Sequence, residues 1–192
     1  DYHMAMIPLR TRAARAMANR SGYGKALEEG LWCQREAETL GILAAAGADV
    51  PQVVAHGYRS IVMEYFGSAE SGALRLSDIR QGLPDAPGCC AAVLRNLGIF
   101  LEAGIVHGDL SPYNILYHDG RPVIIDFPQA VLIAASSAAQ ALFERDVSTI
   151  CEYFRRQGVA ADAGRVAHQL WSGHALRRTL RRRTAGGIGD KP

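Results

Sequence analysis

The sequence predicts an α+β fold: a small partial sheet with one helix in the first third, followed by a mainly helical part that carries a polar hairpin. Three observations predict it. Short apolar runs bounded by turn residues read as strands at 50–57, 60–66, 115–117 and 123–125. Apolar residues recur at helical spacing over 31–46, 88–103 and 143–154. Between the first strands and the later helices lies Ser68 to Gly72, small, polar and glycine-containing, which suits a boundary. The resulting division is 1–67, 68–184 and a disordered tail at 185–192.

Met4 to Ile7 is a short apolar run that reads as a strand, stopped by Pro8. Residues 10–30 carry scattered arginines and breakers around Asn19 to Gly24, with weak periodicity and no glycine-rich phosphate loop. From Leu31 to Ala46 the pattern is helical, through Leu31, Cys33, Ala37, Leu40, Leu43 and Ala44, and Gly47 can end it. The next two runs form a pair of strands turning at Gly57 to Arg59. Leu76 to Ile79 is a short helical element with Ser77 as its expected N-cap. The helix at 88–103 ends at Gly104 and delivers the chain to Ile105-Val106-His107. Phe143, Val147, Ile150 and Phe154 share one face of a helix that opens with Glu144-Arg145-Asp146, where Asp146 is a structural acid favourable to the helix dipole. The final helix covers about 160–183 and gathers Arg177, Arg178, Arg181, Arg182 and Arg183.

A chain of 192 residues can bury one substantial core, or two small lobes sharing one. Its net charge of +2 does not by itself demand a nucleic-acid partner. The four cysteines form no Cys-x-x-Cys pair and have no histidine at zinc spacing, so reduced thiols are expected. No signal peptide is evident, and the most apolar window is broken by Asp126, Pro128 and Gln129, so no membrane partner and a cytoplasmic setting are expected.

The chemistry concentrates in His107 to Gln129, HGDLSPYNILYHDGRPVIIDFPQ. Asp119-Gly120 supplies the positive φ angles of a tight hairpin turn between 115–117 and 123–125. Asp109 and Asn114 stand just before this hairpin and Asp126 just after it, so all three should meet at its mouth. Hard Mg²⁺ takes a few oxygen ligands and keeps water and phosphate oxygens for the rest. Asn114 and Asp126 could hold it while Asp109 accepts the proton of an attacking hydroxyl. The Asp109-to-Asn114 spacing matches a kinase catalytic loop, and Asp126-Phe127 stands where kinases place their metal-binding Asp-Phe. The bland alternative is an acidic turn flanking a hairpin. His107 is expected to brace the loop from within the core, not to transfer protons.

The wording of this stretch closely resembles the RIO-type atypical protein kinases. Gly108 replaces the arginine of an ordinary His-Arg-Asp and Pro128 the glycine of Asp-Phe-Gly. The resemblance implies a protein-kinase-like two-lobe fold with a curtailed first lobe. It implies ATP and Mg²⁺ as cofactors, with transfer to a serine or threonine of a protein substrate or of the enzyme itself. ATPase turnover through a phospho-aspartate at Asp126 is the other implied outcome. Asp109 would be the base, and Asn114 and Asp126 the metal ligands. Glu36, in Trp32-Cys33-Gln34-Arg35-Glu36, resembles the partner of the ATP-binding lysine; an exposed glutamate paired with arginine is its alternative. Met63 would be the gatekeeper, Glu64 and Phe66 the hinge, and Leu116 the apolar floor under adenine. If Met4 to Ile7 is the strand that carries that lysine, Met6 occupies its place. The chain is then a fragment, which the non-Met start favours, or a degenerate, pseudokinase-like member. Two other readings stay open. A small-molecule phosphotransferase of the aminoglycoside type shares His-Gly-Asp, although the C-terminal part is poor in acids. A non-catalytic pseudokinase could bind RNA or a ribosome-assembly partner through Arg177 to Arg183, against the alternative of a solvated helix end.

Overall fold

The structure is a computed structural model that describes residues 22–186. The expected strand at Met4 to Ile7, with Met6, lies outside the described residues, as do residues 187–192.

Helix α1 spans Gly22–Ala45 and so begins well before Leu31. Its glycines lower helix propensity by roughly 1 kcal/mol each, yet packing overrides this at Gly30. A Cβ there would stand 2.8 Å from the Tyr58 ring, so a glycine lets the helix approach the turn after β1. Glu29 and Arg59 form an ion pair across the same contact. Leu40 and Leu43 on the inner face enter the core. Strands β1 (Val53–His56) and β2 (Ile61–Met63) pair antiparallel with Val53 opposite Met63 and His56 opposite Ile61. Both are shorter than their apolar runs. Their turn closes with the Gly57 N–H donating to the Ser60 carbonyl at 2.8 Å.

The Ser68–Gly72 segment is a tight turn bridged between Gly67 and Gly72. The Ser68 hydroxyl accepts from the N–H groups of Glu70 and Ser71, each at 3.2 Å. A two-residue strand that no apolar run announces, β3 (Leu74–Arg75), follows. A single turn of 3-10 helix covers Leu76–Asp78, but Ser77 is not its cap. Arg75 holds the capping position without a side-chain bond, and the Ser77 hydroxyl turns to Asp78 instead.

Helix α2 runs Ala86–Glu102, capped by Asp85, whose carboxylate accepts the Gly88 N–H at 2.9 Å. It buries Cys89, Cys90, Val93, Leu97, Phe100 and Leu101. Strand β4 (Ile105–Val106) pairs with β7 (Val131–Leu132). Strands β3, β5 (Ile115–His118) and β6 (Arg121–Ile124) form a separate three-stranded antiparallel sheet with β5 central. Helix α3 spans Ala139–Arg156 and buries Phe143, Val147, Ile150 and Phe154 as their spacing predicts. Helix α4 spans Ala163–Gly186, entered through Asp162, whose carboxylate accepts the Arg165 N–H at 2.9 Å. Residues 185 and 186 of the expected disordered tail are therefore helical, continuous with an arginine-rich segment of good helix propensity.

One buried cluster runs from Leu40, Leu43 and Val50 through α2, Ile115, Ile124 and Phe127 to the inner face of α3 and Ala167 of α4. Small sheets with several helices around one core make this an α+β fold. Among the described residues no helix is long and apolar enough to cross a membrane. The four cysteines are free thiols, and Cys89, Cys90 and Cys151 are buried. Burial pushes the Cys89 thiol up to about 12 and the Cys90 thiol up to about 11, so both stay protonated and unreactive.

Candidate active site

The hairpin turns as its Asp-Gly predicts, with Asp119 at φ 49° and Gly120 at φ 79°. Its register places Ile115 opposite Ile124, which sets Asn114 and Asp126 at the open end. The Ile125 N–H donates to the Asn114 carbonyl at 3.0 Å, and Asp126 follows directly with φ at 70°. The Asn114 side-chain Nδ2 donates to the Asp109 carbonyl at 2.9 Å. The structure thus brings Asp109, Asn114 and Asp126 to one mouth, with the Asp109 and Asp126 carboxylates exposed.

The loop is braced from below. His107 is fully buried, and burial holds its ring below the usual histidine value, hence neutral. Its Nε2 lies 3.2 Å from the Ile125 carbonyl, and its Nδ1 accepts the Asp109 N–H at 3.4 Å. Those partners fix the tautomer with the proton on Nε2. The ring also rests against Phe127, with centroids 4.6 Å apart. Gly108 has φ at 83°, and a Cβ there would meet the Gln129 carbonyl oxygen at 2.6 Å. Only glycine fits that position.

Asp146 differs from expectation. It lies inside α3 and not in its first turn, because the helix starts at Ala139. It is buried, and its two carboxylate oxygens accept the Gly108 N–H at 2.8 Å and the Leu110 N–H at 3.0 Å. Burial pushes the acid up to about 6, against the pull of those two N–H groups. It is structural, as expected, but its object is the loop after His107 and not the helix dipole. Its neighbour Arg145, absent from the expected site, donates to the Gly108 carbonyl and lies 3.9 Å from the Asp109 carboxylate. Sequence spacing could not reveal it, since α3 reaches the loop only through the tertiary fold.

Glu36 is half-buried on α1, and its Oε1 accepts the Phe127 N–H at 3.3 Å. Its acid is raised, first by burial, with the Phe127 N–H opposing and the Asp126 charge adding to the rise. It is therefore not an exposed helix glutamate, and among the described residues it pairs with no arginine; its partner there is the backbone of the Asp126-Phe127 motif. Met63 closes β2, and the Glu64 N–H donates to the Gln52 carbonyl at 2.8 Å. The Phe66 carbonyl accepts from the Ala73 N–H at 2.8 Å, and its ring meets His118 edge-on at 5.7 Å. Among the described residues no hydrogen bond uses the Glu64 carbonyl or the Phe66 N–H, the pair a planar heterocycle edge needs. Leu116 lies half-buried in β5, between Arg75 and Val123.

Mg²⁺ fits the donor set. With Nδ2 of Asn114 committed to Asp109, its Oδ1 is left for a cation next to the exposed Asp126 carboxylate. Among the described residues no three of His, Cys, Asp and Glu converge as a self-sufficient metal cage. Two oxygen donors suit an ion that completes its shell with water and phosphate. On α4, Arg177 is engaged with Glu102 of α2. Arg178 is exposed, and the side chains of residues 181–183 lie outside the described ones.

Comparison with known proteins gives the same direction throughout. A sequence profile of the RIO domain matches residues 9–166. The RIO-type serine/threonine-protein kinase Rio1 of Haloferax volcanii is 36% identical over 141 residues, which are 73% of this chain and 48% of the relative. A probable serine/threonine-protein kinase, the RIO1 homolog of Encephalitozoon cuniculi, is 31% identical over 149 residues, 76% of this chain and 37% of the relative. Rio1 of Thermoplasma acidophilum is 29% identical over 142 residues, 73% of this chain and 72% of the relative. The chain thus spans about half or less of the first two relatives and most of the third.

Proposed function

The chain belongs to the RIO-domain family, and on that premise we propose that it is an ATP- and Mg²⁺-dependent serine/threonine protein kinase. It would transfer a γ-phosphoryl group to a serine or threonine hydroxyl of a protein or of itself. The observation that carries this reading is the shared mouth of Asp109, Asn114 and Asp126, locked by the Asn114 side chain on the Asp109 carbonyl. The family match favours it over an aminoglycoside-type phosphotransferase.

Asp109, exposed on a rigid loop, accepts the hydroxyl proton as the acceptor oxygen attacks. Asn114 Oδ1 and the Asp126 carboxylate would hold Mg²⁺, which would neutralise phosphate charge. The Glu64 carbonyl and Phe66 N–H receive the adenine edge, with Met63 behind them and Leu116 beneath. Glu36 holds the Asp126-Phe127 backbone in place. Residues 1–67 and 68–184 act as the two lobes, joined by the turn at Ser68 to Gly72. The cysteines, none of them in a Cys-x-x-Cys pair and three of them buried, fit a cytoplasmic setting.

The test is Mg²⁺-dependent ATP turnover by the chain and by Asp109→Ala and Asp126→Ala, with radiolabel transfer followed in parallel. Loss of at least about 10²-fold in both variants is expected. Turnover undiminished in both would overturn the reading. A label resistant to hydroxylamine identifies a hydroxyl acceptor, whereas a labile one moves the reaction to a phospho-aspartate at Asp126 and an ATPase.

A further inference from the structure

The two peptide units on either side of the Asp109 Cα are held at all four of their facing polar groups. The Gly108 carbonyl accepts from the Arg145 guanidinium. The Asp109 N–H donates to His107 Nδ1 at 3.4 Å, and its carbonyl accepts from Asn114 at 2.9 Å. The Leu110 N–H donates to Asp146 at 3.0 Å. Such a backbone cannot drift, but the Asp109 carboxylate beyond it is 70% exposed and needs its own direction. Of the four groups that hold the backbone, Arg145 is the cation, and it stands 3.9 Å from Oδ1 of that carboxylate. The loop from His107 to Asn114 contains no lysine or arginine, so the cation comes from α3. Arg145 and Asp146 are consecutive: one takes the Gly108 carbonyl and the other the Gly108 N–H.

We infer that Arg145 is a positioning residue for Asp109, fixing the peptide before it and holding its carboxylate by charge. The inference rests on the phosphoryl-transfer reading for its catalytic consequence, but not for its geometry. A planar guanidinium can bind a carbonyl with one N–H while its charge lies against a neighbouring carboxylate. A misplaced reacting group costs rate even where substrate binding is intact.

The test uses the full chain with Arg145→Ala and Arg145→Lys and two readouts. In the nucleotide-free protein, amide hydrogen exchange should accelerate at Asp109 in Arg145→Ala while Leu110, held by Asp146, stays protected. In turnover, kcat should fall about 10- to 100-fold with KM for ATP within about twofold. Ethylguanidinium added at non-denaturing concentration should restore part of the lost rate, which a role in folding alone would not allow. Arg145→Lys, which keeps the charge without the fork, should fall between wild type and Arg145→Ala. If Arg145→Ala does not fold, Arg145→Lys carries the test, with a lowered kcat and loosened Asp109 amide expected. Unchanged exchange with unchanged kcat overturns the inference and leaves the kinase reading standing, and so does a rise in KM alone. A wild type without turnover, in which Arg145→Ala still loosens Asp109, overturns the kinase reading and keeps the positioning.

Discussion

Asp146 is the residue on which the geometry of the site most depends, and its surroundings set a pH dependence. Each of its carboxylate oxygens accepts one N–H of the loop, from Gly108 and Leu110. Both of those residues are buried, so no water stands ready to replace the acceptor. Truncation by Asp146→Ala should therefore cost about 1–3 kcal/mol for each orphaned N–H. The acid lies at about 6, above its ordinary 3.8, because burial disfavours the charge more than the two N–H groups favour it. A folded value above the unfolded one means that folding favours the protonated form. The stabilisation from this group is thus full below its ordinary value and is lost as pH rises through about 6. Urea denaturation should show Asp146→Ala costing more at about pH 4.5 than at about pH 7.5. An equal cost at both, or a larger one at the higher pH, would disprove the assignment. Sequence alone showed the acid and its structural character; it could not show which backbone the acid holds, because the contact joins residues on α3 to a distant loop.

The hairpin is the element most legible in the chain, since Asp-Gly turn chemistry and two apolar runs fix its register locally. Two of its neighbourhood's glycines separate conformational cost from steric cost. Gly120, at φ 79°, leaves open space around the position a Cβ would take, so Gly120→Ala should lose only the left-handed preference, about 1–2 kcal/mol. Gly108, at φ 83°, would drive its Cβ to 2.6 Å from the backbone oxygen of Gln129, which no rotamer change can relieve. Gly108→Ala should lose more stability than Gly120→Ala and abolish turnover, whereas Gly120→Ala retains it. Equal melting temperatures for the two variants would show that the loop yields where the contacts say it cannot. Helices were legible in the same local way where apolar spacing was strong, as in α2 and α3. The start of α1 was not, because glycine propensity pointed one way and the close approach of Gly30 to Tyr58 the other. Strands β3, β4 and β7 are two residues each and exist only through pairing with distant partners, so no run of residues announces them.

At the scale of the molecule, α1 is tied to the hairpin and its exit at two points that no local pattern discloses. Just past its end, the Asp49 carbonyl accepts the Ile124 N–H at 2.9 Å, and within it Glu36 accepts the Phe127 N–H at 3.3 Å. Asp126 lies between those two anchors. The first anchor is itself fixed by Asn96, which is fully buried in α2. Its Oδ1 accepts the Asp49 N–H at 2.7 Å, and its Nδ2 donates to the Asp49 carboxylate at 2.8 Å and to the Ala92 carbonyl at 2.9 Å. Arg95 adds an ion pair to the same carboxylate from the surface. Asn96 stands amid the apolar spacing of α2, and in the fold it joins that helix to the segment just past α1. Asn96→Ala removes all three bonds and should destabilise the chain by about 1–3 kcal/mol for the polar groups left without partners. Arg95→Ala, which removes only an exposed charge pair, should cost no more than about 1 kcal/mol. Because Asn96 acts on Asp126 through Asp49 and Ile124, Asn96→Ala should also loosen the Ile124 and Phe127 amides in hydrogen exchange and raise the Mg²⁺ concentration needed for half-maximal turnover. A variant that is destabilised but leaves both amides and the Mg²⁺ requirement unchanged would show that α1 merely packs against the hairpin and does not hold it.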